Sequence, residues 1–137
     1  MKNRKVYISG DLVPDNEAKI SIYDSAVLLG DTVTESTRTF NHKPFKLIEH
    51  VDRLYKSLKL TRIDPGMTKN EMIEVSENLL EVNKETYGDN EDCWLFNPEW
   101  QILPSVSFVN GRGPVILTCN DHNNGTKQSH FRLFLTP

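Results

Sequence analysis

Hydrophobic and polar positions alternate through the first forty residues and then change to a helical period. Lys5 to Ile8 (KVYI) and Leu12 to Pro14 flank a Ser9-Gly10-Asp11 turn and predict a hairpin. Ala18 to Tyr23 (AKISIY) places Ala18, Ile20 and Ile22 on one face and Lys19, Ser21 and Tyr23 on the other, the period of two of a half-buried strand. Asp24 to Asp31 reads as a turn-rich connection ending in Gly-Asp. Thr32 to Phe40 is β-branched and alternating, Asn41-His42-Lys43 is a turn, and Pro44 to Leu47 is expected to pair back, with Pro44 at an edge or first position because it lacks an N–H.

From Ile48 to Leu60 the spacing becomes i, i+3, i+4: Ile48, Val51, Leu54, Tyr55 and Leu58 form an apolar stripe, with His50, Arg53 and Ser57 opposite. After Asp64-Pro65-Gly66, Thr68 and Glu71 compose a Thr-x-x-Glu capping box that opens a helix to about Asn83, with Met72, Ile73, Val75, Leu79, Leu80 and Val82 as its stripe. Tyr87 to Asp92 is polar and loop-like. Short β-like runs follow at Cys93 to Phe96, Val106 to Val109, Val115 to Thr118 and Phe131 to Leu135, with turn dipeptides at Asn110-Gly111 and Asn124-Gly125. Strands, two helices and further strands favour an α+β fold, a mostly antiparallel sheet with two main helices packed on one side.

Composition narrows the partners. The chain has 137 residues, one domain's worth by length, with 26% charged residues and a net charge of −3. That balance gives no basic face for nucleic acid. No apolar run approaches the ~18 residues that suggest a membrane span, and the basic start, MKNRKVYISG, lacks the apolar core of a signal peptide. Cys93 and Cys119 lie far apart and form no Cys-x-x-Cys pair, so reduced thiols in a cytoplasmic protein are expected.

Few residues invite chemistry. His42, His50, His122 and His130 show no metal-ligand spacing, so no metal is expected. Asn110-Gly-Arg-Gly113 has no helix after it and reads as a turn rather than a phosphate cradle. Trp94 and Trp100 bracket Phe96 and Pro98 as aromatic core or a partner-facing patch. Glu35 and Arg38 read as solvated strand positions on opposite faces of the sheet. The trio His50, Arg53 and Ser57 could grip an anion, although periodicity alone makes Arg53 an ordinary surface arginine.

Several segments together resemble the class IV aminotransferases, the pyridoxal-phosphate family of branched-chain aminotransferase, D-amino acid aminotransferase and aminodeoxychorismate lyase. They are Val6-Tyr7-Ile8-x-Gly10 with Val13-Pro14, Ala18-Lys19-Ile20-Ser21, Leu29-Gly30-Asp31-x-Val33-x-Glu35 and Arg38-Thr39-Phe40-Asn41. The most specific is Phe45-x-Leu47-x-Glu49-His50-Val51-Asp52-Arg53-Leu54-Tyr55-x-Ser57. The resemblance covers residues ~5 to ~85, in the element order that periodicity gives independently.

The resemblance implies that Arg53, the arginine of the Glu-His-x-x-Arg-Leu helix, contacts the phosphate of pyridoxal 5'-phosphate. It implies a substrate side near Leu29, Thr34 and Arg38, with Leu29 and Thr34 where family members often carry aromatic residues. A smaller, less aromatic pocket wall would follow, and a branched-chain substrate does not. The implied reaction moves an amino group between an amino acid and a 2-oxo acid, in a homodimer. The family's Schiff-base lysine lies in a second domain, and no lysine of this chain stands in a matching context. Residues 1–110 are therefore expected to form the N-terminal domain of such an enzyme, and 111–137 a β-like tail of uncertain kind. Two alternatives accompany this reading: a non-catalytic domain of the same fold used for binding or assembly, and an aminodeoxychorismate lyase-like enzyme.

Overall fold

A computed structural model describes residues 4–8, 10–87, 91–99 and 116–121, with side chains excluded at 99 and 116–121. Its strands are β1 (Lys5–Ile8), β2 (Asp11–Pro14), β3 (Val33–Phe40), β4 (Lys43–Pro44), β5 (Cys93–Glu99) and β6 (Ile116–Asp121). Its helices are α1 (Ser25–Leu28), α2 (Leu47–Thr61) and α3 (Lys69–Asn83). The described strands form one sheet of order β2-β1-β6-β5-β3-β4, and every pairing is antiparallel. The α+β expectation holds.

Alternation along β3 and β5 divides the sheet into two faces. Glu35, Thr37 and Thr39 on β3, with Cys93, Leu95 and Asn97 on β5, are buried on one face. Ser36 pairs with Phe96 and Arg38 with Trp94 on the other, more open face. Helix α2 lies against β3, and α3 packs on α2, β1 and β6. Between helices and sheet sits one core of Tyr7, Leu47, Val51, Leu54, Leu58, Ile63, Met72, Leu79, Leu80, Tyr87, Cys93 and Leu95. Apolar burial of this kind is the main favourable term in folding, about 25 cal/mol per Å² removed from water.

The hairpin of β1 and β2 turns at Gly10, whose φ of 110° is open to glycine and costly for other residues. The β3–β4 turn uses Asn41 and His42, both left-handed at φ 50° and 61°, the conformation that a tight two-residue hairpin needs. Asp92 ties this turn to the sheet: its Oδ1 accepts from the His42 backbone N–H at 3.2 Å and from Thr39 Oγ1 at 3.1 Å.

Three local expectations need correction. Ala18 to Tyr23 is not a strand; it has no ladder partner among the described residues and bends through turns at Pro14 and Ser21. Its alternation survives, because Ala18, Ile20 and Ile22 are half-buried while Lys19, Ser21 and Tyr23 are exposed. An extended segment laid over a core shows the same period of two without a sheet. Asp24 to Asp31 contains the short helix α1, where Asp24 caps the Ala26 N–H at 3.1 Å.

The return strand after the turn is only Lys43–Pro44. Lys46 adopts the left-handed conformation (φ 51°, ψ 41°), and the helix starts at Leu47. The buried stripe of α2 is therefore Leu47, Val51, Leu54 and Leu58, and Ile48 is 63% exposed. Helix α3 has the expected capping box: Thr68 Oγ1 accepts from the Glu71 N–H, and the Glu71 carboxylate accepts from the Thr68 N–H at 2.6 Å. Of its stripe Met72, Leu79 and Leu80 are buried and Val82 is exposed.

The end of α3 is fastened to β1 through Asn83, which is fully buried. Its Oδ1 accepts from the Lys5 N–H at 2.7 Å and its Nδ2 donates to the Lys5 carbonyl at 3.0 Å, so one amide serves as a strand partner. Of the later expectations, the run at Val115 to Thr118 falls partly in β6, which lies between β1 and β5. The runs at 106–109 and 131–135, the turns at 110–111 and 124–125, the 108–113 segment, Trp100, His122 and His130 lie outside the described residues. The Cys119 side chain does too, while Cys93 is a buried thiol.

Candidate functional site

Parity along β3 places Glu35 on the helix-covered face, in line with Val33, Thr37 and Thr39. The short β3–β4 hairpin then brings α2 back across that face, with His50 and Arg53 one helical turn apart above Glu35. Arg53 meets the Glu35 carboxylate side-on: Nε donates to Oε2 at 2.6 Å and Nη2 to Oε1 at 2.6 Å, a two-pronged ion pair. His50 Nδ1 lies 2.9 Å from Glu35 Oε1, and the Ser36 backbone N–H donates to the same oxygen at 2.8 Å.

Because an ionised carboxylate only accepts, His50 must present Nδ1–H to Glu35. Its 3.4 Å approach to Arg53 Nη2 is then donor against donor and contributes no hydrogen bond. Burial alone would push the Glu35 carboxyl up. The hydrogen bonds from Arg53, His50 and the Ser36 N–H, with the Arg53 charge, outweigh it and lower the carboxyl from 4.5 to about 2. Glu35 in turn raises Arg53 above its ordinary value, first by hydrogen bonding and then by charge.

Exposure is divided unevenly across the pair. The Glu35 side chain is 5% exposed and that of Arg53 67%. Arg53 Nη1 donates to none of the described residues, so one edge of the guanidinium is held by protein and another faces outward. That is the donor set a phosphate monoester takes: a fixed cation with unused planar N–H groups.

Of the expected trio, His50 and Arg53 meet at Glu35 and Ser57 does not. Ser57 Oγ donates to the Arg53 backbone carbonyl at 3.2 Å, an internal helix bond, and takes no part in the ion pair. Glu35, expected as a solvated strand residue, is the buried anchor. The available signal was its parity with Val33 on a strand followed at once by an amphipathic helix.

The structure does not gather all the substrate-side residues around Arg53. Thr34 and Arg38 lie on the face of β3 opposite Glu35, and Leu29 ends α1 with 70% exposure. Arg38 is stacked between aromatic rings, its guanidinium carbon 4.8 Å from the Phe40 centroid and 5.9 Å from that of Trp94. Its Nε is buried with no hydrogen-bond partner among the described residues. Phe45 meets Phe40 edge-on at 5.5 Å and extends this aromatic row along the open face. Among the described residues no group of His, Cys, Asp and Glu is arranged to hold a metal ion, and no helix is long and apolar enough to cross a membrane.

Solved structures share this fold. The branched-chain aminotransferase of the thermophilic archaeon Thermoproteus uzoniensis superimposes with a TM-score of 0.71 at 24% identity, over 85% of this chain and 40% of that one. A branched-chain amino acid aminotransferase solved with pyridoxamine 5'-phosphate gives 0.73 at 25% identity, over 90% of this chain and 42% of that one. The fold is that of the class IV aminotransferases. Curated sequences agree. The chain is 44% identical over 79 residues to a Methanocaldococcus jannaschii protein named "Putative branched-chain-amino-acid aminotransferase", which is 58% of this chain and 27% of that protein. It is 38% identical over 79 residues to a D-alanine aminotransferase of Staphylococcus haemolyticus, 58% of this chain and 28% of that enzyme. The chain thus matches less than a third of the length of these class IV relatives, an N-terminal fragment of them. No protein-family model matches the chain.

Proposed function

We propose that the chain is the cofactor-phosphate and substrate-side part of a class IV aminotransferase, an enzyme moving an amino group between an amino acid and a 2-oxo acid. The observation that carries this reading is the outward edge of Arg53, held from behind by Glu35, in a fold whose relatives are named aminotransferases. The donor set fits a phosphate monoester. Pyridoxal 5'-phosphate, when bound, supplies the electron sink for amino-group transfer.

In this reading Arg53 binds the phosphate, Glu35 holds Arg53, and His50 helps to hold the Glu35 carboxylate. Arg38, with its unpartnered Nε among aromatic rings, and Thr34 on the same strand face belong to the substrate side, and Leu29 lies at its margin. A homodimer is the working assembly. Residues 1–110 are the proposed aminotransferase domain, and the segment 111–137 contributes β6 to the same sheet, between β1 and β5.

The test is a titration with 4-deoxypyridoxine 5'-phosphate, which carries the phosphate and no aldehyde, so surface lysines do not react. Arg53→Ala should weaken binding roughly 10- to 100-fold, the scale for losing a charge-assisted hydrogen-bond donor. Affinity unchanged by Arg53→Ala would overturn the assignment.

A further inference from the structure

A buried carboxylate is a poor way to fasten a strand to a helix. Replacing a buried ion pair with apolar residues of similar volume is often neutral or stabilising. The adjacent positions on the same strand face, Val33 and Thr37, hold uncharged side chains. Glu35 nevertheless directs both its oxygens to one side chain that is two-thirds exposed. His50 Nδ1 and the Ser36 N–H fix the carboxylate itself, so the acceptor is set independently of the arginine.

An exposed arginine ordinarily samples many rotamers, and ordering it on binding weakens the complex. Here the Nε hydrogen and one of the two Nη2 hydrogens are already taken by Glu35, which fixes the plane of the guanidinium and leaves its Nη1 side outward. We propose that Glu35 is a positioning residue for anion binding: it fixes Arg53 so that the Nη1 side receives a phosphate without a further loss of side-chain freedom. The proposal rests on the reading of Arg53 as the phosphate residue.

Charge and position make opposite demands, which makes the proposal testable. A negative Glu35 near a bound phosphate repels it, so if charge alone mattered, neutralising Glu35 would tighten binding. If positioning matters, Glu35→Gln weakens binding, because the amide turns an N–H toward one prong of the Arg53 fork.

The experiment uses the 137-residue chain and two aldehyde-free probes, 4-deoxypyridoxine 5'-phosphate and 4-deoxypyridoxine, titrated into the unaltered chain, Glu35→Gln, Glu35→Asp and Arg53→Ala. The quantity read is the preference for the phosphorylated probe. Glu35→Gln should reduce that preference roughly tenfold, the scale for freeing one long side chain. The affinity for 4-deoxypyridoxine should stay unchanged, and the Arg53 Nε–H resonance should gain fast motion. A purely structural role would alter stability without altering the preference.

Glu35→Asp keeps the charge and withdraws the carboxylate by one methylene. It should also lose preference, and it decides the matter if Glu35→Gln does not fold. An equal or greater preference in both Glu35 variants, with Arg53→Ala impaired, overturns the positioning role and leaves the Arg53 reading intact. No binding of the phosphorylated probe by the unaltered chain, or none lost in Arg53→Ala, overturns both.

Discussion

Acidification should weaken this fold through Glu35, and Glu35→Gln should remove that share of the pH dependence. The Glu35 carboxyl is held at about 2 in the folded chain against an ordinary 4.5, so the unfolded chain takes up the proton first as pH falls. The associated stability is complete above pH ~4.5 and is lost as the pH drops through about 2. At about 1.4 kcal/mol per pH unit, the gap is worth about 3 kcal/mol. Some 2 kcal/mol of this should already be gone at about pH 3. Asp52 and Glu71 are also lowered, by Lys69 and by Thr68 respectively, but both are present in the variant and cancel in the comparison. Urea unfolding of the two proteins at pH 7 and pH 3, followed by far-UV circular dichroism, gives the difference. The unaltered chain should lose about 2 kcal/mol more than Glu35→Gln between these pH values. Equal losses, within about 0.5 kcal/mol, would refute the claim that Arg53, His50 and the Ser36 N–H keep a buried carboxylate ionised.

Two further substitutions examine the frame that carries the site. Asn83→Ala should cost about 2–3 kcal/mol in urea unfolding, because it strips the Lys5 N–H and carbonyl of their partners beside a fully buried position. A loss below about 0.5 kcal/mol would show that Asn83 does not fasten α3 to β1. Thr68→Ala should cost about 1 kcal/mol by opening the capping box of α3, and Thr68→Ser should recover most of it. Equal stability of Thr68→Ala and the unaltered chain would remove the cap from the account.

The sequence was most legible where one local signal sufficed. The Thr68–Glu71 box opened α3 as written, and the Val51, Leu54 and Leu58 spacing marked the buried side of α2. It misled where local pattern and tertiary partner diverge. The period of two in Ala18 to Tyr23 reports which side faces the core, and a strand additionally needs a hydrogen-bonding neighbour. The first turn of α2 depended on Lys46 taking a left-handed conformation that its residue type does not advertise, and that choice exchanged Ile48 for Leu47 in the core.

The candidate site was half legible for the same reason. Helix periodicity joined His50 to Arg53, residues three apart on one element. Glu35 lies 18 residues before Arg53, and only packing α2 on β3 brings them together. Charge suggested that Glu35 was solvated; its parity with Val33 pointed inward. A buried acid on an otherwise uncharged strand face becomes intelligible once the Arg53 guanidinium and the His50 Nδ1–H stand above it.

The most direct test of the central claim is a crystal structure of the chain with 4-deoxypyridoxine 5'-phosphate. A phosphate oxygen should lie within about 3 Å of the Arg53 guanidinium on its Nη1 side, with the bonds from Nε and Nη2 to Glu35 retained. A phosphate bound elsewhere, or one that draws Arg53 away from Glu35, would contradict it.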